Sequence, residues 1–250
     1  MGVPTLGCGC TVCTSSDARD KRLRPALLLK WHLNGRERVV VIDTGPDFRQ
    51  QALRAGLQRL DAVLYTHGHA DHILGLDDLR PLSYTVSREG EPIRLLASAE
   101  TKAVLERVYD YTFSPGATYK HRARVRLELL EDRFDLFGVE FVRIPLVHGD
   151  LDTSGFRFGR TAYLTDVSEI PETSFALLEG VDCLILSALR HLPHPSHATL
   201  AQAVEWAKRI GARQTWFTHV AHELGHEQTN RTLPGGMALA YDELSFQVTL

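Results

Sequence analysis

The stretch that decides the fold is Thr66-His67-Gly68-His69-Ala70-Asp71-His72, in which three histidines and an aspartate fall within six residues. It directly follows Asp61-Ala62-Val63-Leu64-Tyr65, a short apolar run that predicts a buried strand. Residues at this spacing cannot all lie on one face of a helix or strand, whereas a loop can fold them around one centre. Imidazole and carboxylate groups together suit zinc, iron or manganese. We therefore predict a metal site at this strand end; the alternative is a polar surface loop.

The pattern His-x-His-x-Asp-His after a hydrophobic strand resembles the signature of the metallo-β-lactamase-fold hydrolases. The resemblance extends along nearly the whole chain and is closest to the subgroup that contains the cyclic phosphodiesterase of phosphonate breakdown. Composition and periodicity by themselves support only an α/β or α+β protein. The resemblance implies the more specific fold, an α+β (α/β in some schemes) four-layer αβ/βα sandwich.

The length of 250 residues favours a single domain over residues 1–250. The resemblance adds one expectation about its beginning. Related chains start with a strand that ends in Gly-Thr-Gly-Thr-Ser before Gly-Val-Pro. Here Gly2-Val3-Pro4 follows Met1 directly, so we expect that first strand to be missing.

The composition is that of an ordinary globular protein, with 44% hydrophobic and 24% charged residues. No apolar stretch approaches the roughly 20 residues of a membrane span, and the N-terminus lacks a secretory pattern. We expect a cytoplasmic location and no membrane partner. A net charge of -3 gives no general case for nucleic acid, and the basic residues between Arg19 and Arg24 are expected in a solvated loop, with phosphate steering as the alternative. A homodimer is left open as the assembly.

The four cysteines divide into a cluster, Cys8, Cys10 and Cys13, and the lone Cys183. A disulfide within Cys-Gly-Cys-Thr-Val-Cys would be strained and would leave a thiol over. In a reducing compartment such a cluster more often binds metal. Cys183 lies in an apolar run, Val181 to Leu186, that predicts a core strand with an inert thiol.

Apolar runs and turn signals predict the elements along the chain. Predicted strands span residues 25–33, 38–43, 93–97, 125–130, 138–145, 155–158, 161–164, 184–186, 214–217 and 245–248. Predicted helices span residues 48–57, 100–109 and 200–210, with Asp47 as the cap of the first. The resemblance implies a further helical start over residues 75–82. Residues 109–121, rich in aromatic side chains, are expected to form an irregular segment near the substrate entrance.

Three later residues follow predicted strands in the way that the metal loop does: His148, Asp166 and His219. A single histidine after a strand is usually structural, and Asp166 has the alternative of capping a helix. The resemblance implies metal ligands instead. It assigns His67, His69 and His148 to one metal and Asp71, His72 and His219 to a second, with Asp166 bridging the two. It also places Asp43 beneath the site, where the carboxylate orients a histidine; a turn carboxylate is the alternative.

The same resemblance implies a separate structural zinc, because Cys8, Cys10 and Cys13 need one more donor for a closed tetrahedral site. The subgroup takes this fourth ligand from the histidine three residues after the last catalytic one, which is His222 here. His226 is the second choice, and a plain surface histidine is the alternative for both.

The function that the resemblance implies is a phosphoric diester hydrolase, in which two zinc or manganese ions share a hydroxide that attacks phosphorus. A small phosphorylated substrate such as 5-phosphoribosyl 1,2-cyclic phosphate is expected. Asp71 counts among the catalytic residues besides being a ligand. His197, in the subgroup's His-Pro-x-His element, is the candidate general acid, with substrate binding as the alternative. His191 and His194 are expected to be loop residues.

Two other functions stay open. One is a ribonuclease-Z-like RNA hydrolase, which the acidic balance and the lack of an obvious substrate-clamping arm disfavour. The other is a non-catalytic or accessory metal-binding protein, because the same cysteine pattern occurs in the relative that assists quinone-cofactor biosynthesis. An intact ligand set together with His197 argues against a loss of catalysis.

Overall fold

The computed structural model describes residues 2–87, 91–116 and 118–249. Within these ranges the chain divides into two compact units. The five-stranded unit comprises Arg24–Glu131, and the seven-stranded unit comprises Met1–Leu23 together with Asp132–Leu250. The single domain stays a prediction. Met1, on which the expectation of a missing first strand depends, lies outside the described residues, as does Ala117 of the aromatic segment.

The described residues of the five-stranded unit form one sheet with helices. Its elements are β1 (Leu27–Leu33), β2 (Arg36–Ile42), α1 (Phe48–Arg54), β3 (Ala62–Leu64), α2 (Ala70–Ile73), α3 (Leu79–Ser87), β4 (Ile93–Ala97), α4 (Ala99–Val108), α5 (Asp110–Phe113) and β5 (Val125–Leu129). The sheet order is β1-β2-β3-β4-β5. β1 and β2 form an antiparallel hairpin, and β2 to β5 pair in parallel.

Two features of the sequence explain this sheet. Asn34 and Gly35 join β1 to β2 with φ angles of 53° and 76°, which is the left-handed pair that a two-residue hairpin turn requires. β3 has parallel neighbours on both sides, and its three residues are buried. A strand covered on both faces reads as a continuous apolar run, which is why the sequence before the metal loop lacks alternation.

The described residues of the seven-stranded unit form a second, mixed sheet. Its elements are β6 (Arg133–Leu136), β7 (Val139–His148), β8 (Leu151–Phe158), β9 (Thr161–Leu164), α6 (Glu172–Leu177), β10 (Cys183–Ser187), α7 (Leu200–Ile210), β11 (Gln214–Thr218), α8 (His226–Asn230) and β12 (Met237–Leu239). The sheet order is β12-β11-β10-β9-β8-β7-β6. β6 to β9 pair antiparallel, and β9 to β12 pair in parallel.

Helix α7 has the boundaries that the sequence predicts, because both ends carry strong signals. Thr199 caps its first turn, and Gln202 completes a reciprocal capping box. Gly211 ends it at φ 76°, a left-handed conformation that glycine adopts without steric cost. Its apolar face, which includes Leu200, packs into the core of the seven-stranded unit. The five-stranded unit has a core of its own.

The structure corrects three predictions and adds one strand that the sequence did not predict. The last strand lies at Met237–Leu239, where it pairs with β11, and not at residues 245–248. The supposedly irregular segment contains a short helix, α5, and β6 had no predicted counterpart. Asp47 occupies the N-cap position of α1 but makes no capping bond, since its carboxylate accepts hydrogen bonds from Arg24. Among the described residues, no helix is both long enough and apolar enough to cross a bilayer.

Candidate metal centre

The metal loop of the five-stranded unit gathers its histidine rings at the end of β3. The His67 ring lies 4.6 Å from that of His69 and 4.3 Å from that of His72, measured between ring centroids. His72 Nε2 lies 3.9 Å from Asp71 Oδ2. The short helix α2 starts one residue after His69, so the loop turns between the first two histidines and the last two ligands. His67 and His72 are buried, whereas His69 is exposed.

A buried carboxylate beneath this loop orients two of its histidines. Asp43 Oδ2 accepts hydrogen bonds from His72 Nδ1 at 2.7 Å and from Thr66 Oγ1 at 2.8 Å. Because the Thr66 hydroxyl donates to Asp43, it accepts from His67 Nδ1 at 3.0 Å. Both rings are therefore protonated at Nδ1 and present the Nε2 lone pair, which is the form that binds a metal. The position of Asp43 agrees with the orienting role that the resemblance implies.

Two glycines allow the backbone to pass close to the metal loop. A Cβ on Gly45 would lie 2.1 Å from Asp71 O, and one on Gly75 would lie 2.2 Å from Gly45 O. Thr44 N donates to His72 O, and Gly75 N donates to Thr44 O, both at 2.8 Å. A side chain at either glycine would push the loop that carries Asp43 away from the histidines.

The seven-stranded unit assembles a second group of predicted site residues around Asp166. Asp166 Oδ1 lies 3.3 Å from His219 Nε2, 3.7 Å from His197 Nδ1 and 3.9 Å from His148 Nε2. Thr165 Oγ1 donates to the other carboxylate oxygen at 2.7 Å, which leaves Oδ1 facing the three rings. No helix starts at Asp166, because α6 begins only at Glu172, so the helix-cap interpretation is wrong.

His148 is fixed by a backbone carbonyl of the loop after β10. Its Nδ1 lies 2.6 Å from Ser196 O, which is an obligatory acceptor, so Nδ1 carries the proton and Nε2 is left for a ligand. Gly149, at φ 62°, lies against Ser196: a Cβ there would be 3.0 Å from the Ser196 Cβ. His148 and the loop that carries His197 are thus held together.

His197 takes part in the same group of rings. Its ring stacks on His219 at 4.9 Å with an interplanar angle of 18°, and it lies 4.6 Å from the His148 ring. Burial and the neighbouring His219 lower the pKa of His197 to about 3. In this environment the ring is neutral at pH 7. A general acid must be protonated, so the role requires an anionic substrate oxygen beside the ring to raise its pKa.

Three of these residues have a strained backbone conformation. Asp43, Asp166 and His219 have φ angles of 64°, 52° and 52°, in the left-handed region that is uncommon for side chains other than glycine. Asp43 and His219 directly follow β2 and β11, and Asp166 lies two residues after the end of β9. Such outliers concentrate at functional sites, where the surrounding structure holds them in place.

The cysteine cluster meets His222 in the seven-stranded unit. His222 Nδ1 lies 3.2 Å from Cys8 Sγ, 3.3 Å from Cys10 Sγ and 3.6 Å from Cys13 Sγ. Zinc binds sulfur at about 2.3 Å and nitrogen at about 2.0 Å, so these donors lie about 3.5 Å apart around a tetrahedral ion. The four side chains therefore fit a closed zinc site. His226 lies apart from the cluster and contacts Asn230 instead.

A backbone amide stabilises the thiolate form of Cys10 in this cluster. Cys13 N donates to Cys10 Sγ at 3.4 Å, and Thr5 N donates to Cys13 Sγ at 3.3 Å. The Cys13 amide lowers the pKa of the Cys10 thiol to about 6. A thiolate is the form that binds metal. The half-buried Cys183 differs, because burial raises the pKa of its thiol to about 11, as expected for an inert thiol.

The seven predicted active-site ligands thus fall into two groups, four in the five-stranded unit and three in the seven-stranded unit. Their imidazole and carboxylate donors, with three ring tautomers fixed by hydrogen bonds, suit divalent metal ions. Sequence reasoning did not identify Thr66, Thr165 and Ser196, which hold ligands in place. Only the position of each threonine directly before a ligand could have signalled two of them.

Comparison with known proteins agrees with this fold and donor set. The family described as "Beta-lactamase superfamily domain" matches residues 38–220, which is most of the chain. The class is therefore that of metal-dependent hydrolases with the metallo-β-lactamase fold, and the α+β prediction is confirmed. A crystal structure described as that of a new diphosphatase from the PhnP family is 47% identical, with a TM-score of 0.91. The match covers 100% of this chain and 94% of the crystallised chain. The chain belongs to the β-lactamase superfamily and, within it, to the PhnP family.

Two further relatives are more distant. An octanoyltransferase of Porphyromonas gingivalis is 37% identical over 252 residues, which cover 97% of this chain and 48% of that protein. The chain spans about half the length of this curated relative and a smaller share of the coenzyme PQQ synthesis proteins B that it also matches. Zn²⁺-bound PqqB from Methylobacterium extorquens has the same fold, with a TM-score of 0.67 at 20% identity; it covers 99% of this chain and 96% of that chain.

Proposed function

We propose that this protein hydrolyses phosphodiester bonds in small phosphorylated molecules, with cyclic diesters such as 5-phosphoribosyl 1,2-cyclic phosphate as the leading substrate class. The observation that carries the proposal is its 47% identity, over the whole chain, to a diphosphatase of the PhnP family. Diphosphates and phosphodiesters both contain a negatively charged phosphoryl group whose bond to a bridging oxygen is broken on hydrolysis. A site that serves one of these substrates has the charge pattern needed for the other.

The proposed site uses two divalent metals, zinc or manganese, and the ligands that the resemblance implies. His67, His69 and His148 would hold one metal, Asp71, His72 and His219 would hold the other, and Asp166 would be the ligand common to both. When bound, such ions neutralise phosphoryl charge and activate water for attack. The chain contributes orientation: Asp43, Thr66, Thr165 and Ser196 hold the ligand atoms in the required form.

We propose that His197 protonates the leaving group. Its ring lies against His219 and His148 without being needed to complete the assigned ligand set. A ribose alkoxide is strongly basic and needs a proton as it departs. In the bound state the anionic phosphoryl group would raise the pKa of His197, against the burial that lowers it. The imidazole would then give its proton to the departing oxygen.

The second proposed metal site is structural. Cys8, Cys10, Cys13 and His222 would hold one zinc, supported by the distances of 3.2 to 3.6 Å between His222 Nδ1 and the three sulfur atoms. This site joins the N-terminal loop to the segment after β11, three residues beyond His219. It lies outside the catalytic ligand set, so its loss would affect stability before chemistry.

The test of the function is a substrate panel with the metal-loaded protein. Cyclic ribose phosphates, cyclic nucleotides, dinucleotides and bis(p-nitrophenyl) phosphate would be offered with zinc or manganese, and metal content would be measured in parallel. We expect turnover of small diesters by the parent. Asp166→Ala should lose at least one metal ion and most of the activity while remaining folded, because a charged ligand is removed. Full metal occupancy with unchanged turnover in that variant would contradict the role of Asp166.

A specific observation favours one alternative, an accessory metal-binding protein without hydrolytic activity. Coenzyme PQQ synthesis protein B of Methylobacterium nodulans is 35% identical over 43% of this chain. The alternative predicts normal metal content with no turnover of any phosphodiester. Activity of the parent that disappears in Asp166→Ala would exclude it.

A further inference from the structure

The loop between β10 and α7 carries three histidines, of which only His197 has a role in the proposed chemistry. Arg190 supports this loop: its guanidinium donates to Leu192 O at 3.1 Å and to Pro193 O at 2.9 Å. His191 is exposed, whereas His194 is half-buried. The loop is therefore held by its own hydrogen bonds, and its histidines occupy different environments.

The hydrogen bonds of His194 define its tautomer. Ser196 N, an obligatory donor, lies 3.3 Å from His194 Nδ1, so Nδ1 is the acceptor and the proton of the neutral ring is on Nε2. The carbonyl oxygen of Ser196 accepts a hydrogen bond from His148 Nδ1 at 2.6 Å. The backbone of Ser196 thus fixes a proposed metal ligand with its oxygen and His194 with its nitrogen.

His194 extends the row of histidine rings, His219 and His197, that lies beside Asp166. Its ring lies 4.9 Å from that of His197, which in turn stacks on His219 at 4.9 Å. Burial, Arg190 and His219 lower the pKa of His194, which favours the neutral ring at pH 7. Its Nε2–H makes no hydrogen bond to any residue in the described part of the chain, and this nitrogen is not buried. The Nε2–H of His194 is therefore a donor in a fixed position, one ring beyond His197.

The charges around His194 suit an anion. The Arg190 guanidinium lies close enough to influence its titration, and the acidic neighbour of Arg190 is Glu223, at 3.8 Å from Nη1. If the scissile phosphoryl group is bound near Asp166, a second anionic group of the same substrate would reach the next rings of the row. A neutral N–H donor can bind such a group through a charge-assisted hydrogen bond.

We propose that His194 is a specificity-determining residue that binds a second phosphate group of the substrate through its Nε2–H. The inference rests on the proposed function, and it narrows the substrate class to small molecules with a phosphate besides the scissile one. Sugar cyclic phosphates that also carry a phosphomonoester, and diphosphates, belong to this class.

The test compares ligands with and without the second phosphate. The variants are His194→Leu, which removes the donor, and His194→Gln, whose amide nitrogen can take the place of Nε2–H. The matched control is His191→Leu in the same loop. Calorimetric binding of pyrophosphate and of inorganic phosphate to the metal-loaded proteins requires no turnover. His194→Leu should weaken pyrophosphate binding about tenfold or more, the size expected for a charge-assisted hydrogen bond, and phosphate binding much less. His194→Gln should restore most of the loss.

Kinetics provide the second readout. In His194→Leu, KM for 5-phosphoribosyl 1,2-cyclic phosphate should rise about tenfold while kcat/KM for bis(p-nitrophenyl) phosphate stays near that of the parent. The inference would be overturned if His194→Leu weakened the binding of pyrophosphate and phosphate equally, or slowed the two diester substrates equally. A loss in His191→Leu as large as in His194→Leu would overturn it as well. A parent that does not bind pyrophosphate more tightly than phosphate would also overturn it. A parent that does so but cleaves no diester would overturn the proposed function alone.

Discussion

At the scale of single residues, the candidate site depends on neighbours that decide which nitrogen or oxygen faces the metal. Asp43 fixes His72 directly and His67 through the Thr66 hydroxyl. Thr165 occupies one oxygen of Asp166 and leaves the other toward the histidines. Removing one of these partners leaves the ligand in place but allows the wrong tautomer or rotamer. Such outer contacts typically contribute 10- to 100-fold to metal affinity or activity.

His197 provides the sharpest test at this scale. General acid help is typically worth about 10²–10⁴-fold, and it matters most for a poor leaving group. His197→Ala should therefore slow hydrolysis of a cyclic ribose phosphate by roughly that factor. A p-nitrophenyl diester should be affected much less, because p-nitrophenolate is stable without a proton. Steady-state rates on both substrates and metal content give the answer.

Two outcomes would remove the general-acid assignment of His197. An equal rate loss on both substrates would indicate binding or positioning instead. Loss of a metal ion would make His197 a ligand, which its 3.7 Å distance to Asp166 Oδ1 does not by itself exclude.

At the scale of elements, strand ends supply the site. A proposed ligand or its support lies one or two residues after the ends of β2, β3, β9 and β11, and Asp43, Asp166 and His219 adopt left-handed φ angles there. Because the chain reverses at each strand end, the side chain there no longer follows the alternation between the two faces of the sheet. A left-handed residue other than glycine costs about 1 kcal/mol or more. Packing of the buried strands and the hydrogen bonds around the site must offset this cost.

The cysteine loop is a second element-scale feature. Cys10→Ser should remove one zinc per chain and lower the thermal midpoint, because a closed structural site stabilises the loop that it joins. The two active-site metals should stay bound. Cys183→Ser is the matched control, since that thiol lies outside the cluster and should leave the zinc content unchanged. Metal analysis and thermal unfolding measure both. The same total zinc in Cys10→Ser and the parent would show that the cluster is not a structural zinc site.

At the scale of the whole molecule, we expect acid stability to depend on His226, a buried histidine outside the metal clusters. His226 N donates to Asp20 Oδ1 at 2.8 Å, and Arg22 Nη2 donates to the same oxygen at 3.2 Å. His226 Nε2 lies 2.9 Å from Asn230 Nδ2, so it accepts and is unprotonated. Burial, followed by Arg19 and Arg22, lowers the pKa of His226. The folded chain therefore keeps this ring neutral at a pH where the unfolded chain has already bound a proton.

The direction of the pH effect follows from this difference. Below about pH 6.5, the ordinary histidine value, the unfolded state binds the proton first, so stability falls as pH falls. One such group changes the free energy of unfolding by at most about 1.4 kcal/mol per pH unit. His226→Gln should remove this slope between about pH 6.5 and 5, measured by urea unfolding at saturating metal. If the parent and the variant lose stability in parallel over that range, His226 is not the responsible group.

The sequence determined the features whose signals are local. The metal loop gathers its donors within six residues after an apolar run, so its place at a strand end was predictable. The strands on either side of Asn34-Gly35, the strands over residues 155–158 and 161–164, and helix α7 were predictable for the same reason, because turn and capping residues act on their neighbours. These predictions are confirmed, as is the fold.

The resemblance implies roles for Asp43 and His222, but only the tertiary structure decided which atoms of distant residues meet. His148 and Ser196 are 48 positions apart, Asp43 and His72 are 29 apart, and Cys8 and His222 are 214 apart. The last strand shows the same limit: residues 245–248 alternate like a strand, yet Met237–Leu239 occupies the place beside β11, and Phe246 stacks on Trp216 instead. A local pattern states what a segment can form. Which partner it meets depends on the competition among all segments for the same buried edge, and only the packed chain resolves that competition.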